Sequence, residues 1–132
     1  MKYRIERMRF ITREYVRANR EKLFVFGDNL ERRGLGGQAA EMRGEPNAIG
    51  IPTKKSPSYN NDAFFTDAEF EQNKAAIDAA FAKIIASVSD SIRVIIIPSG
   101  GVGIGRAQLR KRAPRTFAYL QQKLAELAST EE

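Results

Sequence analysis

Apolar positions along the chain follow two rhythms. Between residues 66 and 88, Phe70, Ile77, Phe81, Ile84, Ile85 and Val88 fall on one face of a helix. Thr66-Asp67-Ala68-Glu69 ahead of them reads as a capping box. Leu109, Ala113, Phe117, Leu120, Leu124 and Leu127 recur at steps of three and four and predict a last helix. Pro114 lies inside that pattern, so either the helix kinks there or a short helix ends and Pro114 opens a second. The other rhythm is continuous. Lys22-Leu23-Phe24-Val25-Phe26, closed by Gly27, reads as a buried strand, and residues 91–97 read as the strongest strand, apolar on both faces as under helices on both sides. Weaker patterns predict a strand at 2–6, a helix at 12–19 capped by Thr12 and ended by Asn19, and a short helix at 38–43 stopped by Gly44. A strand at 48–51 ends at Pro52, a polar loop fills 53–64, and the tail 129–132 is expected to fray. Strands alternating with helices predict one α/β domain over residues 1–132, with ligand loops at the carboxyl ends of the strands.

Composition narrows the chemistry. The chain has no cysteine and no histidine, which excludes thiol chemistry, thiolate metal sites and the commonest general base. No metal or cofactor is expected. The longest apolar run, Val94 to Ile97, is far too short to span a bilayer, and charges occupy the N-terminus where a signal peptide would be apolar. A cytoplasmic protein without membrane contact is expected; its oligomeric state is open. The net charge is +6, and it is unevenly spread: +6 over residues 1–55, −4 over 56–90 and +4 over 91–132. The two basic segments are also the glycine-rich ones, which points to an anionic partner or to a solvated surface.

Two glycine loops each follow an apolar strand and precede a helix. The first runs from Gly27 through Asp28 and Asn29 to Gly34, Gly36, Gly37 and Gln38. The second is Ser99-Gly100-Gly101-Val102-Gly103-Ile104-Gly105, followed by Arg106. Such loops bring backbone amides close to an anion, and the following helix points its amide end to the same place. Tight strand–helix turns also need glycine, but two loops in equivalent positions favour a shared phosphate or diphosphate site. The second loop lacks the Gly-Lys-Ser/Thr ending of a Walker loop, and no acidic residue completes a dinucleotide fingerprint. Asp28 and Asn29 are either ligand-facing, with Asp28 the candidate base, or an Asx turn. Arg106, Arg110, Lys111, Arg112 and Arg115 suit either phosphates or a solvated helix face. Tyr59, Phe64 and Phe65 suit either stacking on a base or local packing.

These residues resemble the ligand loops of macro domains. Asp28-Asn29, the glycine run and Gly36-Gly37-Gln38-Ala39-Ala40 are similar to that family's first loop, and Ile95 to Gly105 to its second, with the helix at 107–127 after it. The resemblance covers residues 22–52 and 92–127. It implies a three-layer α/β sandwich with a mixed sheet flanked by helices, and binding of ADP-ribose or a related ADP-ribosyl nucleotide. By that resemblance Asn29 sits near the distal ribose, and Gly36, Gly37 and Gln38 contact that ribose and the diphosphate. Gly101 to Gly105 wrap the diphosphate. ADP-ribosyl hydrolysis at the same site, with Asp28 and Asn29 catalytic, is one alternative; a basic nucleic-acid-binding accessory protein is another. Phe26-Gly27-Asp28-Asn29-Leu30, Gly36-Gly37-Gln38-Ala39 and Gly50-Ile51-Pro52-Thr53-Lys54 also resemble a pattern in small phage and bacterial proteins of unknown function.

Overall fold

A computed structural model describes residues 2–129, so the last three positions of the predicted tail lie outside the described residues. The elements are β1 (Arg4–Met8), α1 (Arg13–Ala18), β2 (Lys22–Asn29), α2 (Ala39–Met42), β3 (Ala48–Lys54), α3 (Phe70–Ser87), β4 (Val94–Pro98), α4 (Leu109–Arg112) and α5 (Pro114–Ser129). Short 3-10 turns at Asn61–Ala63 and Asp67–Glu69 precede α3. Pro114 therefore opens a second helix, where its missing N–H has no helical partner to lose.

The strands form one sheet in the order β1-β4-β2-β3. All three ladders are parallel, which corrects the mixed sheet expected from the resemblance. The reason is connectivity. Every strand-to-strand passage contains a helix that carries the chain back to the starting end, so successive strands run the same way. Successive residues of a strand face opposite ways. Leu23, Val25, Ile51, Ile95 and Ile97 enter one core with α3 and α5, while Phe24, Phe26 and Ile96 enter another with α1 and α2. Helices thus cover both faces, as the unbroken apolar runs of β2 and β4 require.

Two predicted strands run further than their apolar residues. β2 continues through Gly27, Asp28 and Asn29, and β3 through Pro52, Thr53 and Lys54, because the two extensions pair with each other. The ladder between β2 and β4 stops at Phe24–Ile96, whereas β4 continues to Pro98 beside β1. The carboxyl end of the sheet therefore splits between β2 and β4. The chain leaves β2 toward α2 on one face and leaves β4 toward α5 on the other, the arrangement that opens a crevice in α/β sheets.

Three polar devices hold the helices. Thr12 caps α1 as expected, accepting from the Tyr15 amide at 3.1 Å. The carboxylate of Glu45, buried in the turn after α2, is ion-paired by Arg13, Arg17 and Arg20 of the α1 region. Burial pushes its pKa up, but those three guanidiniums outweigh burial and hold it below the usual value. The expected capping box at Thr66 is not formed: the Thr66 side chain makes no cap bond. Asp67 reaches instead to the start of α5, accepting from the amides of Arg115 at 2.8 Å and Thr116 at 2.9 Å and from the Thr116 hydroxyl at 2.9 Å. Glu69, the other half of the expected box, is ion-paired with Lys55. Burial opposes the ionised form of Asp67, and its donors, with the Arg115 charge, bring its pKa below normal.

Both carboxylates have folded-state pKa values below their unfolded ones. Their contribution is complete above the ordinary carboxylate range and is lost as pH falls through the folded values. Asp67→Ala should cost about 1 kcal/mol at neutral pH, and Glu45→Gln should also destabilise. Urea denaturation at pH 7 and along an acid series should show wild type losing its margin over both variants as the pH drops below about 4.

Candidate functional site

The crevice between β2 and β4 deepens into a cavity of about 540 Å³, a size that holds a nucleotide-sized molecule. The two glycine loops meet there. Of the residues singled out from the sequence, Gly27, Asp28, Asn29, Gly34, Gly36, Gly37, Gln38, Gly101, Gly103, Gly105 and Arg106 line it. Ser99, Gly100, Val102 and Ile104 do not. The Ser99 amide bonds the Met8 carbonyl at 2.8 Å and extends the β4–β1 edge, Gly100 is exposed, Val102 is buried in the main core, and Ile104 turns outward.

Gly103 lies against β3, and a side chain there would meet Thr53 at 3.0 Å and Leu109 at 3.1 Å with φ at +80°. Glycine thus lets the second loop press onto the neighbouring strand end. The amides of Val102, Gly103, Ile104, Gly105 and Arg106 have no backbone hydrogen-bond partner among the described residues, nor do those of Gly34, Leu35, Gly36, Gly37 and Gln38. Of these residues, Gly34 to Gln38 of the first loop and Gly103, Gly105 and Arg106 of the second line the cavity. The helices after the loops add little. α2 and α4 are single turns of four residues, and the Leu109 amide is spent on the Gly103 carbonyl at 3.0 Å. The expected helix-end contribution gives way to loop amides and side chains.

Asp28 is held in an ion-pair network. Its side chain is only 2% exposed and is ion-paired by Arg43 at 2.5 Å and Arg32 at 3.1 Å. Its Oδ1 also accepts the Asn29 amide at 2.8 Å. Both oxygens of this carboxylate are thus engaged by donors. Arg43 ties the same carboxylate to the first loop, donating to the carbonyls of Gly34 at 2.8 Å and Arg33 at 3.2 Å. Arg32 donates to the Gly50 carbonyl of β3 at 2.8 Å. Gly50 is required by this packing, since a β-carbon there would lie 2.5 Å from Asp28 Oδ2.

Asn29 is 7% exposed, and its Nδ2 donates to the Arg33 carbonyl at 2.8 Å. Its Oδ1 is buried without a partner. Gln38, a residue of the same cavity wall, also has a buried Oε1 without a partner.

Several lining residues escaped the sequence reading. Arg43, Thr53, Lys54 and Pro57 join Arg33, Leu35 and Tyr59 in the wall. Gly50 to Lys54 stood out as a pattern, but only the parallel pairing of β3 with β2 brings Lys54 opposite Asn29. Lys54 is 7% exposed and lies over the rings of Tyr59 at 4.6 Å and Phe64 at 4.5 Å. Burial lowers its pKa, and the nearby charges of Arg106 and Arg112 lower it further. Arg106 crosses from the second loop to pack on Gly36 of the first and donates to the Tyr59 hydroxyl. Phe64 and Phe65 are fully buried, which places both as packing residues.

The fold and cavity define a class: a parallel α/β domain with a predominantly basic cavity at the split carboxyl end of its sheet. The chain belongs to a family of unknown function, DUF7831, whose model matches residues 6–123. No curated protein and no solved structure matches it.

Gly50→Ala should displace Asp28 from its two arginines and destabilise the protein by about 1–3 kcal/mol. Urea denaturation measures the loss, and crystallography of the variant should show the first loop shifted.

Proposed function

We propose that this protein binds ADP-ribose or a closely related ADP-ribosyl nucleotide in the cavity between β2 and β4. The observation that carries the reading is the convergence on one basic cavity of two glycine loops, whose wall residues have amides without backbone partners, with Asn29 and Gln38, wall residues whose buried Oδ1 and Oε1 lack donors. Amide runs suit a diphosphate. Unpaired acceptors suit the hydroxyls of a ribose, since leaving each without a donor costs about 1–3 kcal/mol. One ligand with a diphosphate and a sugar satisfies both. The macro domain-like reading of the fold, with its three layers, rests on the same two loops at neighbouring strand ends.

Binding is favoured over hydrolysis by the state of Asp28, whose oxygens are held by Arg32 and Arg43. Nucleic-acid binding through the arginine segment draws less support. Arg110, Arg112 and Arg115 lie over Phe117, Phe64 and Phe70, and so are partly committed to packing.

Calorimetry with ADP-ribose tests the proposal. Micromolar binding is expected, and Asn29→Ala should weaken it up to about tenfold, the value of one hydrogen bond. Absence of binding to the folded wild-type protein would refute the assignment of ligand.

A further inference from the structure

Lys54, Arg106 and Arg112 stand apart from the other cations near the site. Arg32 and Arg43 are paired with Asp28, and Arg33 with Glu31. Among the described residues, no carboxylate lies within ion-pair distance of Lys54, Arg106 or Arg112. Their hydrogen bonds go to neutral groups. Lys54 donates to the Ser58 carbonyl at 2.7 Å, Arg106 to the Tyr59 hydroxyl, and Arg112 to Gln108 Oε1 at 3.0 Å and Asn61 Oδ1 at 3.4 Å. Aromatic rings link the three: Lys54 and Arg112 both lie over Phe64, and Lys54 and Arg106 share Tyr59.

A lysine is almost never this buried unless it is paired. Here a desolvated ammonium of the cavity wall lies near two like charges, Arg106 of the same wall and Arg112 outside the lining, an arrangement that is unfavourable without an anion. We infer that Lys54 and Arg106, backed by Arg112, form a phosphoryl-binding corner of the cavity that takes a phosphate monoester, separate from the amides of the glycine loops. The class follows from charge. A carboxylate would neutralise one of three cations, whereas a phosphate dianion neutralises two and offers acceptor oxygens to both the ammonium and the guanidinium. The inference rests on the anion-binding reading of the cavity but not on ADP-ribose as its ligand.

The test uses inorganic phosphate as probe, with acetate at matched ionic strength as control, titrated into the ¹⁵N-labelled full chain. Saturable amide shifts at Lys54, Tyr59 and Arg106 are expected with phosphate and not with acetate. Lys54→Met and the exposed Arg106→Gln should each weaken phosphate about tenfold or more, and Arg112→Gln by less. Lys54→Met should also keep or raise Tm, because it removes an unpaired buried charge; a lysine that only props the loop would lower it. No saturable phosphate shift in wild type, an equal response to acetate, or undiminished binding by Lys54→Met would overturn the inference. ADP-ribose binding without phosphate binding would sink this corner alone. Phosphate binding without ADP-ribose binding would sink the nucleotide assignment alone.

Discussion

The site is organised around the buried carboxylate of Asp28. It lies on β2, touches the place of a missing side chain at Gly50 on β3, and holds Arg32 from the first loop and Arg43 from the end of α2. Those two guanidiniums in turn bond carbonyls at 33, 34 and 50. One charge therefore joins two strands, a loop and a helix end. Removing either partner of such a pair leaves a buried charge uncompensated, so the arrangement is held as a unit. The first glycine loop owes its shape to this unit, and with it the presentation of Asn29 and Gln38.

The second loop is held by packing. Gly103 presses against Thr53 and Leu109, Val102 anchors in the core, and Arg106 reaches across to Gly36. The contrast has a physical origin. The first loop borders the smaller core, formed with α1 and α2, and its span relies on ion pairs. The second borders the larger core, formed with α3 and α5, where apolar contacts are available. The cavity lies where these two kinds of support meet.

Its chemistry follows from which charges are already satisfied. Glu45 and Asp28 together engage Arg13, Arg17, Arg20, Arg32 and Arg43. A sequence rich in arginine thus uses much of its excess internally. The cations without a carboxylate around the cavity, Lys54 and Arg106 with Arg112 behind them, give it its character. Net charge alone does not distinguish the two groups.

The order of elements was legible in the chain, because apolar periodicity directly records which faces are buried. The strand at 22–26, the strand predicted at 91–97, which begins only at Val94, the helix after residue 66 and the two glycine loops lie where that pattern predicts. So was the pairing of the loops at one site, since strands followed by helices leave their loops at the same end of a sheet. What tertiary structure decided were relations between distant residues. The strand extensions through Asp28 and Lys54 exist because they bond one another across a parallel ladder. Asp28 became an anchor of the first loop because Arg43, fifteen positions on, closes over it. Asp67 caps the start of a helix forty-eight residues away. Lys54 became part of the cavity only through its neighbour strand. Local patterns encode burial and turns; charge pairing and strand register depend on partners far along the chain, and those are set only when the sheet closes.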